Sequence, residues 1–136
     1  MTSFNVTFEH SGAEELQAAL EKLQEAAPIQ GAGAMLEEAH AIRAASVEIV
    51  PVDQGILRAS AEVQGPHFHF GSAFVVVGYG GAAAHYAVEQ HENLKFKHSP
   101  GQQAKFLEQP AREAVTGMEN RLAQKLRDRF QRELIT

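Results

Sequence analysis

Seven histidines and no cysteine make imidazole the first group to consider for chemistry in this 136-residue chain. His67 and His69 stand two apart in His67-Phe68-His69-Phe70, so on a strand both rings leave one face and can share a metal ion. Further ligands would have to come from His85, Glu89 or His91, and nothing in their spacing requires it. The helical His-Glu-x-x-His core of zinc proteases is absent. Solvent-facing histidines opposite buried Phe68 and Phe70 are the simpler expectation. Gly78-Tyr79-Gly80-Gly81 has the glycine content of an anion cradle, but no Gly-Lys-Ser or Gly-Lys-Thr follows and no βαβ unit precedes, so it reads as a mobile turn.

The serines (Ser3, Ser11, Ser46, Ser60, Ser72, Ser99) include none in a Gly-x-Ser-x-Gly elbow. Glu14-Glu15 and Glu37-Glu38 fall on polar helical faces, where solvation accounts for them. Asp53 and Arg58 flank Gly55, and an ion pair between them would fix a turn rather than perform catalysis. No enzyme emerges from these groups, and neither a catalytic residue, a bound cofactor nor a metal site is expected.

The elements that carry these residues change type at residues 51–60. Pro51 lacks a backbone donor and biases Val50 away from the helical region, while Asp53 and Gly55 supply turn chemistry. Pro51, Asp53, Gly55 and Arg58 are therefore expected to hold a structural turn. Before it, Phe4, Val6 and Phe8 alternate with polar residues and predict a short strand. Ser11 and Glu14 have capping-box spacing and open a helix whose stripe is Leu16, Leu20, Leu23 and Ala27, ended by Pro28. A second helix is expected over residues 33–50, with Met35, Ala39, Ile42 and Ile49 on one face and Ser46 interrupting it.

After the turn, the alternation of Leu57, Ala59 and Ala61 predicts a strand over residues 57–63, broken by Gly65-Pro66. The run from Ala73 to Tyr79 suits a central strand, and the short connections favour an antiparallel meander. Residues 85–92 read as a short helix. Residues 93–103 lack an apolar period and read as an exposed loop able to meet a partner. A last helix starts near Pro110, its stripe running from Val115 through Met118, Leu122, Leu126 and Phe130 to Leu134. At about 25 residues it would be a rod of roughly 37 Å, longer than its own sheet needs. Arg121, Lys125, Arg127, Arg129 and Arg132 place positive charge toward its C-terminal end, which suits the helix dipole and also a basic contact surface. The expected fold is α+β: an antiparallel sheet of about four strands against two N-terminal helices and one long C-terminal helix, in a single domain over residues 1–136.

Composition narrows the functional classes. Acidic residues outnumber basic ones 17 to 12, for a net charge of −5, which argues against wrapping nucleic acid. It leaves open DNA passing close by without sticking. No apolar run is long enough to span a bilayer, and the first residues lack the pattern of a signal peptide, so a soluble chain without membrane contact is expected.

Three segments carry a resemblance. Pro51-Val52-Asp53-Gln54-Gly55-Ile56-Leu57-Arg58-Ala59-Ser60 resembles the Pro-Val-Asp-Thr-Gly-x-Leu-Arg-x-Ser signature of a family of small neck and minor tail proteins of tailed bacteriophages. Val77-Gly78-Tyr79-Gly80 followed by Tyr86-Ala87-Val88-Glu89-Gln90-His91-Glu92 is similar to that family's second block. Ala104-Lys105-Phe106-Leu107-Glu108-Gln109-Pro110-Ala111 looks like its third, the start of the C-terminal helix. Order and separation also match. Gln54 replaces the usual threonine, which removes a hydroxyl cap, and the first 50 residues match only as generic helices.

The resemblance implies a non-enzymatic virion protein forming a homo-oligomeric ring in the neck, assembled in the host cytoplasm. Its partners would be other phage neck proteins: a connector or adaptor on the portal side, and a tail terminator or tail tube. DNA would pass through the ring without sequence-specific binding. Candidate subunit or partner contacts are Tyr79, Tyr86, His91, Lys95, Lys97, Phe106, Arg121, Lys125 and Arg129. Two other expectations stand beside this one: a small His-dependent metalloenzyme, and a soluble bacterial interaction module that is no part of a virion.

Overall fold

The computed structural model describes residues 13–52, 55–70 and 72–135. The strand expected over residues 4–8 and the cap at Ser11 lie outside them, as do Asp53 and Gln54. In order, the elements are α1 (Ala13–Ile49), α2 (Ile56–Ala59), β1 (Ala61–His69), β2 (Ser72–Tyr79), a single 3-10 turn (Gly81–Ala83), α3 (Ala84–Glu92), α4 (Glu108–Val115) and α5 (Met118–Ile135). Helices and an antiparallel sheet are combined, so the class is α+β.

The two expected N-terminal helices are one. α1 runs through Pro28 without ending. Proline removes one hydrogen bond and crowds the preceding turn, but Ala26, Ala27, Ile29 and Gln30 favour helix on both sides. The second half of α1 is also held from outside. Ala32, Ala34 and Ala39 are buried, small enough to let neighbouring elements approach closely. Gly33 serves the same end: a Cβ there would lie 2.6 Å from Nη1 of Arg129 on α5.

The strand expected over residues 57–63 is replaced by α2 and a later strand start. Gly55 takes a left-handed conformation at φ 80°, and the next four residues close a helical turn. The Ser60 N–H donates to Ile56 O at 3.1 Å, and its hydroxyl donates to Leu57 O at 2.7 Å. Leu57 is buried while Ala59 is exposed, so the alternation of apolar types did not report one buried face.

β1 then continues through Gly65-Pro66 rather than breaking there. A register irregularity between Gln64 and His67 absorbs the proline, and the Gly65-Pro66 peptide is cis. β1 and β2 pair antiparallel, with Ala61 opposite Tyr79 at the base and His69 opposite Ser72 at the tip. Among the described residues this two-stranded sheet stands where about four strands were expected.

The C-terminal rod is also divided. Thr116 is extended at ψ 117°, separating α4 from α5 and letting α5 turn back along α1. The Arg121 guanidinium donates to the carbonyls of Ala114 and Thr116, capping the end of α4. α3 forms as expected. Residues 93–103 carry no helix or strand and are tied down: the Gln103 N–H donates to Ile49 O at 2.9 Å, and Gln102 Oε1 accepts from the Val52 N–H at 3.0 Å.

The main core contains Val50, Leu57, Ala83, Ala87 and Phe106, with Ile49, Tyr79, Tyr86 and Leu107 packed around it. It sits where α1 ends, beside α2, the base of the hairpin, α3 and the approach to α4.

Candidate functional site

The residues drawn out by the sequence converge on that core. Tyr79, at the end of β2, hydrogen-bonds through its hydroxyl to Ser46 Oγ at 2.6 Å, and its ring meets Phe106 edge-on at 5.0 Å. Ser46 is fully buried, so Tyr79 satisfies a hydroxyl that would otherwise interrupt the apolar face of α1. Burial pushes the Tyr79 phenol above its ordinary pKa, with the Ser46 hydrogen bond opposing. Arg43, one turn earlier on α1, donates to Ala61 O at 2.9 Å. These two contacts fix the base of the hairpin to the last turns of α1.

His91 performs a second join. Its Nε2 accepts the Glu108 N–H at 3.2 Å and its Nδ1 lies 2.6 Å from Glu92 Oε1. An accepting Nε2 leaves the proton on Nδ1, which donates to the carboxylate. The ring also meets Phe106 edge-on at 5.0 Å. His91 thus satisfies the first N–H of α4 from the last turn of α3. Lys105 pairs with Glu92 and lies 3.7 Å from Glu108, while its N–H donates to His91 O at 2.8 Å. Lys105 holds the Glu92 carboxyl below its usual range, with His91 adding to the effect.

The basic residues of α5 have partners inside the chain. Arg121 grips both oxygens of Glu38, at 2.9 and 3.1 Å, and Lys125 lies 3.0 Å from the same carboxylate. Arg129 pairs with Glu37 and donates to Gln30. Glu38 is only 5% exposed, and its carboxyl is held below the usual range, first by the Arg121 hydrogen bonds. Arg121, Lys125 and Arg129, named as candidate subunit or partner contacts, bind α5 to α1 within the chain. The expectation of a solvated Glu38 is corrected, because α5 covers it. Phe106, expected as a contact, is 1% exposed and belongs to the core.

The remaining candidates are at or near the surface. Pro51, Gly55, Tyr86 and Lys97 line a cavity of about 580 Å³ together with His85, His98 and Gln102. Arg58 is exposed on α2, and Lys95 is exposed with its N–H donating to Asn93 Oδ1 at 2.9 Å. The pairing of Asp53 with Arg58 lies outside the described residues.

His67 and His69 do not gather ligands. His67 packs against Phe74 and His69 against Phe70, and among the described residues no three His, Asp or Glu side chains converge as a metal site. Phe68 and Phe70, expected to be buried, are 56% and 95% exposed. Phe70 occupies the hairpin turn at φ 47°, where its side chain has no layer to pack into. No helix among the described residues is long and apolar enough to cross a membrane.

No model of a known protein family, no curated protein and no solved structure matches the chain. The arrangement is one of joints: hydrogen bonds and ion pairs that hold helices to a hairpin and to one another. Sequence reasoning gave Arg43, Ser46, Glu38, Glu92 and Lys105 no role in joining elements. Only Ser46 left a signal, as a hydroxyl on an otherwise apolar helical face.

Proposed function

We propose that this chain is a structural protein of a tailed-phage virion, one subunit of a ring in the neck that joins head to tail. One observation carries the reading. The three segments that resemble the neck and minor tail family are separate in sequence yet all contribute to one core: Leu57 from the first, Tyr79, Tyr86 and Ala87 from the second, Phe106 and Leu107 from the third. A chance likeness of three short strings has no reason to concentrate in one packing unit. A shared fold does, because residues that must touch are constrained together.

The surfaces left over suit a head-to-tail contact, in which one face of a subunit meets a different face of the next. A projecting hairpin with exposed Phe68, Phe70, Phe74 and Val76 lies on one element, while the cavity beside α2 and α3 lies on others. In this reading the neighbours are a portal-side adaptor and the tail terminator or tube. The test is assembly: purified protein, alone and with those neighbours, examined by mass photometry and negative-stain microscopy. Closed rings are expected. A strict monomer that binds none of these neighbours refutes the reading.

A further inference from the structure

The two outer edges of the hairpin are guarded very differently. β1 carries Pro66, which has no N–H to offer, an irregularity between Gln64 and His67, and the Arg43 side chain on the Ala61 carbonyl. These devices discourage another strand from pairing. β2 has none of them. Ser72–Tyr79 reads Ser-Ala-Phe-Val-Val-Val-Gly-Tyr, with no proline, no charge and no register break opposite Val76 and Val77. Its outward side chains Phe74 and Val76 are 46% and 43% exposed. An unguarded, β-branched, uncharged edge is a template for a further strand, and a two-stranded sheet gains stability by acquiring one.

The chain contains one other segment with matching chemistry. Phe4, Val6 and Phe8 alternate with Asn5, Thr7 and Glu9 and include neither glycine nor proline. Chain length decides whose copy supplies it. Ser46 lies 33 residues along α1 from Ala13, about 50 Å at helical rise. Tyr79 is bonded to Ser46, and Val76 is three strand residues, about 10 Å, from Tyr79. Val76 therefore sits roughly 40 Å along the helix from Ala13. Seven residues separate Val6 from Ala13, and seven fully extended residues span at most about 24 Å. A bend at Pro28 shortens the helix path by too little to close that gap.

Resting on the ring reading above, we propose that the outer edge of β2 is a strand-acceptor site, filled by residues 4–8 of the neighbouring subunit. Main-chain hydrogen bonds supply the attachment, and Phe4, Val6 and Phe8 cover Phe74 and Val76. Donor and acceptor are different surfaces of one chain. Each subunit gives one strand and takes one, so the contact propagates head to tail and closes when the rotation allows.

The absence of native cysteine makes the test direct. Full-length Val6→Cys and Val76→Cys chains are co-expressed and treated with a short bis-maleimide, whose spacer tolerates a register shift of one residue. A band of twice the chain mass is expected from this mixture and not from Val6→Cys with Val115→Cys. Phe74→Cys serves as a second acceptor, and circular dichroism checks that each variant folds. If the Val6→Cys/Val76→Cys double variant cross-links only within one chain, the segment pairs with its own β2 and the proposal is overturned. Rings that form normally but give no cross-link with either acceptor overturn the proposal and leave the neck reading standing. Monomers without cross-links overturn the proposal, and monomers that also bind none of the neck neighbours overturn the neck reading with it.

Discussion

The Ser46–Tyr79 hydrogen bond offers the sharpest test of how the hairpin is held. Tyr79→Phe removes one hydroxyl and keeps the ring on Phe106, so packing is preserved while a fully buried Ser46 Oγ loses its partner. Leaving a buried polar group unsatisfied costs about 1–3 kcal/mol. Ser46 can recover part of this by turning its hydroxyl to a carbonyl in its own helix, which places the expected loss near 1.5 kcal/mol. For a chain of this size that lowers Tm by about 5 °C. Ser46→Ala should cost less, about 1 kcal/mol, because the half-buried Tyr79 hydroxyl can find water. The double variant has neither orphan and should lie within about 0.5 kcal/mol of the better single variant, giving a coupling of about 1–2 kcal/mol. Urea unfolding followed by circular dichroism at 222 nm measures all three. Strict additivity of the two losses would refute the reasoning, because it would mean that the two hydroxyls do not depend on each other. A second signature is available at high pH. Burial raises the folded pKa of Tyr79, so the stability tied to its neutral form is complete below the unfolded value near 10 and lost as pH rises toward the folded one. Tyr79→Phe removes that alkaline decline.

Two further perturbations address other joints. Glu38 has a depressed carboxyl pKa, so its contribution is present above the unfolded value near 4.3 and lost as pH falls through the lower folded one. Glu38→Gln should flatten the acid side of the stability profile and lower stability at pH 7 by roughly 1–2 kcal/mol, read by thermal unfolding between pH 3 and 7; an unchanged acid limb contradicts the role given to this carboxylate. Gly55→Val places a branched side chain at φ 80°, at a position where a Cβ meets nothing within 4 Å, so the cost is backbone strain alone. About 2 kcal/mol and impaired ring formation are expected, with Gly55→Asn recovering much of the loss; equal damage from both variants would point to crowding instead.

What the sequence made legible was local chemistry, and what it concealed was long-range partnership. The left-handed glycine at residue 55, the short helix at Ala84–Glu92 and the β-branched strand ending in Tyr79 follow from neighbouring residue types. The strand assigned to residues 57–63 failed because four residues of alternation fit a single helical turn as well as a strand, and a glycine at φ 80° followed by the Ser60 back-bond selects the turn. Pro28 misled in the other direction: a local rule for ending helices yields when the helix beyond it is held by α5. The α5 cations are the clearest instance. Arg121, Lys125 and Arg129 look alike as a basic stripe, and only the antiparallel placement of α5 on α1 brings them to Glu37 and Glu38, more than 80 residues away in sequence.

This division of labour bears on assembly. Phe106, Tyr79 and His91 are absorbed into the joints of the chain, and Arg121, Lys125 and Arg129 face α1, so the large apolar side chains that the resembling blocks leave exposed are Val52, Ile56 and Val88. Phe68, Phe70, Phe74 and Val76 form a further exposed apolar set on the hairpin, a segment outside the resembling blocks except at its Val77–Tyr79 end. In the proposed assembly, the body that holds the hairpin's base at Ser46 and Arg43 would position the hairpin's free edge for a neighbour. On that proposal, a chain whose joint is loosened by Tyr79→Phe should lose ring closure at a lower temperature than it loses helix content, since the acceptor edge would move before the core unfolds.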